Sequence, residues 1–145
     1  MPTVQDILRN KGEAIYSTTA DANVLEAVQK MNQHKLGALV VMDGTKVAGI
    51  FTERDVLRRI VGEKRNPHTT KVGEVMTHKV ICCSPQTELD EISAIMLQQR
   101  VRHIPVCDDK GTLHGMVSIG DVNAYHASHQ EARISFLNEY IYGRA

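Results

Sequence analysis

Two pairs of side chains in this sequence are spaced to do chemistry together: Thr52 with Asp55, and Ser118 with Asp121. Each hydroxyl stands three residues before its carboxylate, within the phrases Gly49-Ile50-Phe51-Thr52-Glu53-Arg54-Asp55-Val56 and Gly115-Met116-Val117-Ser118-Ile119-Gly120-Asp121-Val122. Both phrases pattern as a short apolar strand running into a helix, so hydroxyl and acid meet at a helix N-terminus. One use of such a pair is a capping box, in which the hydroxyl accepts the N3 amide proton and the N3 acid reaches back. The other is a ligand site, because free amide hydrogens and the dipole at that end attract phosphate.

The segments that must position the two pairs repeat as well. Val4 to Leu8 is a short amphipathic turn, Arg9 to Glu13 patterns as a polar loop, and Ala14 to Thr19 is an extended run of β-forming residues. Asp21 and Asn23 offer N-cap side chains to a helix with Val24, Ala27, Val28 and Met31 on one face. Leu36 to Met42 is an apolar strand, Asp43-Gly44 is a hairpin signal, and Val47 to Thr52 returns. The helix after Thr52 is expected to turn Val56, Leu57, Ile60 and Val61 inward and to end near Gly62. A polar connector, Glu63 to Thr70, follows, and then the order recurs. Lys71 to Met76 parallels the opening turn and Val80 to Ser84 the extended run, while Thr87 caps a helix carrying Leu89, Ile92, Ile95 and Met96. Val101 to Cys107 and Leu113 to Ser118 form the second hairpin, whose turn, Asp108 to Thr112, is one residue longer than the first.

The fold class that follows is α+β: two tandem units, each β-α-β-β-α, packed with pseudo-twofold symmetry. At about 60 residues either unit alone would be marginal. Residues 1–66 make the first unit with its N-terminal segment, 67–127 the second, and 128–145 a further C-terminal helix. That helix carries Ile134, Leu137 and Ile141 on one stripe with Phe136 and Tyr140 beside it, and is expected to dock within a dimer.

Composition narrows the function. With 145 residues, 42% hydrophobic and 23% charged, the chain has the make-up of one globular module. Seventeen basic side chains balance seventeen acidic ones, so no net field draws it to nucleic acid or an anionic membrane. No window nears the ~18 apolar residues of a membrane span, and the Met-Pro-Thr start lacks a secretory pattern, so a cytoplasmic location is expected. Cys82, Cys83 and Cys107 match neither a zinc site nor a disulfide framework and are expected to be reduced, buried small hydrophobes. Seven histidines show no metal-helix spacing beyond His126 and His129, and no metal is expected.

The doubled phrase, together with Arg102-His103-Ile104-Pro105-Val106 and its counterpart Gly37-Ala38-Leu39-Val40-Val41, resembles the cystathionine-β-synthase (CBS) domain. The tandem, over about residues 4 to 125, is similar to a CBS pair, or Bateman module. The resemblance implies a non-catalytic regulatory sensor that binds an adenine nucleotide of AMP, ATP or NAD type in clefts between the units. It implies that Asp55 and Asp121 hold ribose hydroxyls, that Thr52 and Ser118 contact ribose or phosphate, and that Ile50 and Met116 wall the adenine. Thr18 and the run Ile81-Cys82-Cys83 would complete the clefts. An ionised carboxylate suits vicinal hydroxyls, accepting two hydrogen bonds from them. The clefts are unequal, since Gly37-Ala38 stands where the second unit has Arg102-His103, and Arg54 stands where the second has Gly120. Related modules dimerise through the helices after the paired phrases, so a homodimer that signals to a separate target protein is implied.

Two other classes of function compete. A cysteine enzyme would use Cys82 or Cys107 as nucleophile and His103 as base, but no third group is placed to orient the imidazole. A structural dimerisation module with degenerate pockets is the other, and the intact Thr52/Asp55 and Ser118/Asp121 pairs argue against it.

Overall fold

The computed structural model describes residues 1–12 and 14–129. The proposed C-terminal helix with Ile134, Phe136, Leu137, Tyr140 and Ile141 lies outside the described residues apart from its first positions, where helix α6 (Ile119–His129) ends.

The architecture is the expected α+β tandem pair. In the first unit β1 (Ser17–Thr19) pairs parallel with β2 (Ala38–Asp43), which pairs antiparallel with β3 (Lys46–Thr52). Gly44, at a φ of 60° that favours glycine, makes the turn. Helix α2 (Val24–His34) is capped by Asn23, whose Oδ1 accepts from the Glu26 amide at 2.9 Å, and stops where Lys35 enters the left-handed region. The second unit repeats this with α5 (Leu89–Gln99), β4 (His103–Cys107), β5 (Leu113–Ser118) and α6. Its leading segment is reduced to a single parallel bridge, Cys83 to Val106, in place of the strand expected over Val80 to Ser84.

The hydrophobic cores join the two units by exchange. Helix α1 (Val4–Lys11) puts Val4 and Ile7 into the core of the second unit with Leu89, Ile92, Ile104 and Val117. The short α4 (Val72–Val75), which opens the second unit in sequence, puts Val72 and Val75 into the core of the first with Val24, Leu39 and Phe51. Backbone hydrogen bonds clasp both exchanges. The Val4 amide donates to Thr87 O at 2.9 Å and that of Leu89 to Pro2 O at 3.1 Å; the Val24 amide donates to Thr70 O at 2.9 Å and that of Val72 to Ala22 O at 2.8 Å. Each unit thus completes its core with the other's leading helix.

Several local expectations are corrected. Arg9 to Lys11 continue α1 rather than forming a loop, because α1 has the second unit to pack against. Helix α5 begins one residue later than Thr87 predicts, with Glu88 at the N-cap, and the Thr87 hydroxyl instead accepts from the Ser84 amide at 3.1 Å. Beyond α3 (Glu53–Asp55) the helix widens into a π-helical segment, Val56–Val61, with the Gly62 amide bonded to Leu57 O at 2.9 Å. That turn packs Val56 and Ile60 against the core and leaves Leu57 and Val61 each 66% exposed, not inward. Of the three cysteines only Cys83 is buried; Cys82 is exposed and Cys107 lies between.

One junction is intolerant of bulk. A Cβ on Gly49 would stand 2.7 Å from the Thr77 carbonyl oxygen, and Thr77 exchanges backbone hydrogen bonds with Ile50 at 3.0 and 2.9 Å. The neighbour cannot retreat without opening that bridge. Gly49→Ala is therefore expected to cost about 1–3 kcal/mol in urea denaturation. Unchanged stability would mean that the Thr77 segment yields freely.

Candidate functional site

Both hydroxyl and carboxylate pairs form the capping box their spacing allows. Asp55 Oδ2 accepts from the Thr52 amide at 3.0 Å while Thr52 Oγ1 accepts from the Asp55 amide at 3.3 Å. Asp121 Oδ2 accepts from the Ser118 amide at 2.9 Å and Ser118 Oγ from the Asp121 amide at 3.1 Å. What differs is what lies over each carboxylate.

Over Asp55, which is 4% exposed, lies the hydroxyl of Thr77, donating to Oδ1 at 3.2 Å. Arg59 stands behind, its Nε 3.8 Å from Oδ1 and its Nη1 donating to the carbonyls of Val75 and Met76 at 3.1 and 2.8 Å. In front opens a cleft of about 180 Å³. Ile50, Thr52 and Asp55 form its floor, the connecting segment Thr77 to Ile81 one wall, and Arg102, His103 and Pro105 of the second unit the other. Lys79, Arg54, Arg100 and Arg102 give this cleft four cations. Arg54 is partly committed, donating through Nη1 to the Arg100 carbonyl at 2.9 Å, just past the end of α5. A hydroxyl-lined carboxylate, apolar walls and guanidinium groups together suit a sugar, a flat ring and an anion.

Over Asp121 lies a lysine instead. Lys11 Nζ, from the end of α1, donates to Asp121 Oδ2 at 2.8 Å and to the Met116 carbonyl at 2.7 Å. Burial alone would raise the Asp121 carboxyl, but the hydrogen bonds from Lys11 and Ser118 outweigh it and hold the group below the ordinary carboxylate range. Lys11 thus covers in the second unit the polar groups that the first leaves facing Thr77 and the cleft.

Not all the residues singled out in the sequence gather at the cleft over Asp55. Met116 lines, with Lys11, Tyr16 and Leu36, a pocket of about 190 Å³ that is the second unit's counterpart of the cleft over Asp55. Thr18 lies in another groove beside Ser17, Glu26 and Lys30. Ala38 and Ile104 are fully buried in the sheets, and Cys83 faces the core of the second unit. Cys82 is exposed, next to the cleft-lining Ile81. Gly37 stands between units, where a Cβ would come within 2.6 Å of Glu53 Oε1 and 3.1 Å of His103 Nε2. Sequence reasoning missed Thr77, Lys79, Arg100 and Lys11. Thr77 follows directly on the apolar turn ending at Met76, at the place where the connector meets the first unit, and that was the available signal.

His103 is the first residue of β4, opposite Ser118. Burial pushes its imidazole below the ordinary value of 6.5, with Glu53 and Asp121 opposing and Lys11 and Arg102 assisting. On acidification the unfolded chain therefore takes up this proton first, so stability is full above pH 6.5 and falls below it, by up to about 1.4 kcal/mol per pH unit. His103→Gln is expected to flatten that slope in urea titrations at pH 5 to 7. An unchanged slope would place the titration elsewhere.

The family pattern described as "CBS domain" matches residues 3–62 and 72–127. The chain is 41% identical over 150 residues to CBS domain-containing protein CBSX3, mitochondrial, of Arabidopsis thaliana, covering 97% of this chain and 72% of that one. A solved protein with CBS domains from Burkholderia ambifaria MC40-6 superposes with a TM-score of 0.85 at 40% identity, covering 89% of this chain and 96% of that one. The CBS domain pair of protein MJ0100, solved in complex with 5-methylthioadenosine and S-adenosyl-L-methionine, superposes with a TM-score of 0.79 at 22% identity, covering 89% and 98%.

Proposed function

Since the chain belongs to the CBS-domain family, we propose that it is a non-catalytic regulatory module that binds one adenine nucleotide, of AMP, ATP or NAD type, in the cleft over Asp55. The observation that carries this reading is the inequality of the two carboxylates. Asp121 is paired with a lysine at 2.8 Å, whereas Asp55 faces a cleft with apolar walls and a basic border. The adenine ring would lie between Ile50 and the Ile81 and Pro105 side chains, the ribose hydroxyls would donate to Asp55 in place of Thr77, and phosphates would reach Arg102 and Lys79. The adenosine ligands of the MJ0100 pair support this class of ligand. Calorimetry with AMP, ADP, ATP, NAD and S-adenosylmethionine tests it. The expected result is one site per chain with Kd at or below about 100 μM, or about −5.5 kcal/mol, for at least one of them. No heat from any of the five would sink the reading.

The acting form in this proposal is a homodimer. Leu57 and Val61 at 66% exposure, Leu97 at 81% and Ile119 at 43% leave apolar side chains in water on the helices that end each unit and on α5. A second copy offering the same face would cover them isologously. No helix among the described residues is long and apolar enough to cross a membrane. The occupied dimer would signal to a separate target protein, in the cytoplasm.

A further inference from the structure

We propose that Cys82 and Cys107 form a modification site, two thiols placed to close into a reversible intramolecular disulfide when the protein meets a small-molecule disulfide such as oxidised glutathione. The backbone brings them together. The Cys83 amide donates to Pro105 O at 3.0 Å and the Cys107 amide to Cys83 O at 2.8 Å, which fixes Cys83 opposite Val106 in a parallel bridge. Side chains alternate along such a pair, so Cys83 and Val106 turn into the core while Cys82 and Cys107 turn to the opposite side. There Cys82 stands in register with Pro105 and Cys107 with Ser84, so the two thiols lie on one face, diagonally across the bridge.

Two further features make the closure feasible. Residues 78–82 enter no backbone-to-backbone hydrogen bond among the described residues, so Cys82 can shift toward Cys107, as disulfide geometry demands, without breaking a ladder. Cys82 is also exposed, so an external disulfide can reach it. The Cys82 thiolate attacks one sulfur of oxidised glutathione, forming a mixed disulfide and expelling one glutathione thiolate. Cys107 then gives up its proton and attacks Cys82 Sγ, expelling the second. In sum two protein thiols are oxidised by two electrons and one glutathione disulfide is reduced to two thiols. Burial, and then the neighbouring Cys82 charge, lift the Cys107 thiol to about 11. Capping Cys82 removes that charge, so the resolving step is eased once the first has occurred. Cys83, lifted to about 12 chiefly by burial and turned to the core, stays out of the exchange.

This inference stands apart from the nucleotide reading, although Ile81 of the cleft wall is adjacent to the clamp. Its test is to incubate the full chain with oxidised glutathione, alkylate, digest with trypsin and sequence the products by mass spectrometry. The expected product is the peptide 80–100 joined to 103–110, two hydrogen masses light, from protein that remains monomeric on a non-reducing denaturing gel. Fragment ions should place the link at Cys82, and dithiothreitol should reverse it. Cys82→Ser should abolish the link and Cys83→Ala should retain it, and closure should raise Tm by about 5 °C. A stable glutathione adduct on Cys82 with Cys107 still alkylated would overturn the proposal, as would a link from Cys83 or one between chains. The fragment-ion assignment uses the natural sequence, so it decides the matter even if a variant fails to fold.

Discussion

Asp55→Ala is expected to weaken nucleotide binding by about 10–100-fold, or about 1.4–2.8 kcal/mol, and to destabilise the protein by a further, separable amount. The carboxylate is almost wholly buried and accepts from the Thr52 amide and from the Thr77 hydroxyl, so it joins the helix cap of the first unit to the connector of the second. Its removal leaves those donors without their acceptor and deletes half of a capping box, together about 2 kcal/mol. Asp55→Asn keeps the shape and one carbonyl oxygen, and so separates the two effects. It should recover most of the stability, read by urea denaturation, and little of the affinity, read by calorimetry, because a neutral amide forms weaker bonds with vicinal hydroxyls. The counterpart change, Asp121→Asn, should leave affinity within about twofold, since Lys11 already holds that carboxylate. Equal losses of affinity at the two positions would contradict the assignment of the ligand to the first cleft.

The paired substitution Leu57→Glu with Val61→Glu should convert the proposed dimer to monomer at micromolar concentration, weakening association by about 100-fold or more. Both side chains are two-thirds exposed in the single chain, so the changes cost little there. In a self-complementary interface each appears twice, and four carboxylates would have to be buried without partners. Sedimentation velocity gives the answer directly. A wild-type mass near the 16.1 kDa of one chain would remove the dimer from the account, and a dimeric double variant would move the interface elsewhere.

The contrast between the inward expectation for Leu57 and Val61 and their exposure shows where the sequence stops being legible. A helical stripe of four apolar residues marks a face that leaves water, but not whether one's own core or a second molecule covers it. The π-helical turn splits the stripe, Ile60 going to the core and Leu57 and Val61 outward, and nothing in composition announces it. The hairpins were legible because their signals are local: Asp43-Gly44 makes a turn with a left-handed glycine, and Asp108 Oδ1 binds the Lys110 and Thr112 amides at 2.9 and 3.0 Å. The capping boxes were legible for the same reason, hydroxyl and acid being three residues apart. The exchange of α1 and α4 between units was not. Val4, Ile7, Val72 and Val75 mark amphipathic turns, but only tertiary packing decides which core receives them. Lys11 was missed with it, because a cation in an apparent loop gains meaning only when α1 is seen to carry it onto Asp121.

Amide proton and nitrogen spectra of the full chain, recorded during titration with a nucleotide that gives calorimetric heat, distinguish occupation of the cleft over Asp55 from occupation of its counterpart beside Asp121. A nucleotide in the cleft over Asp55 should give saturable shifts centred on Ile50, Thr77, Ile81 and His103, complete at one ligand per chain, with Gly115 to Asp121 little changed. Shifts centred on Met116, Ser118 and Asp121, with Ile50 and Thr77 unmoved, would contradict that placement.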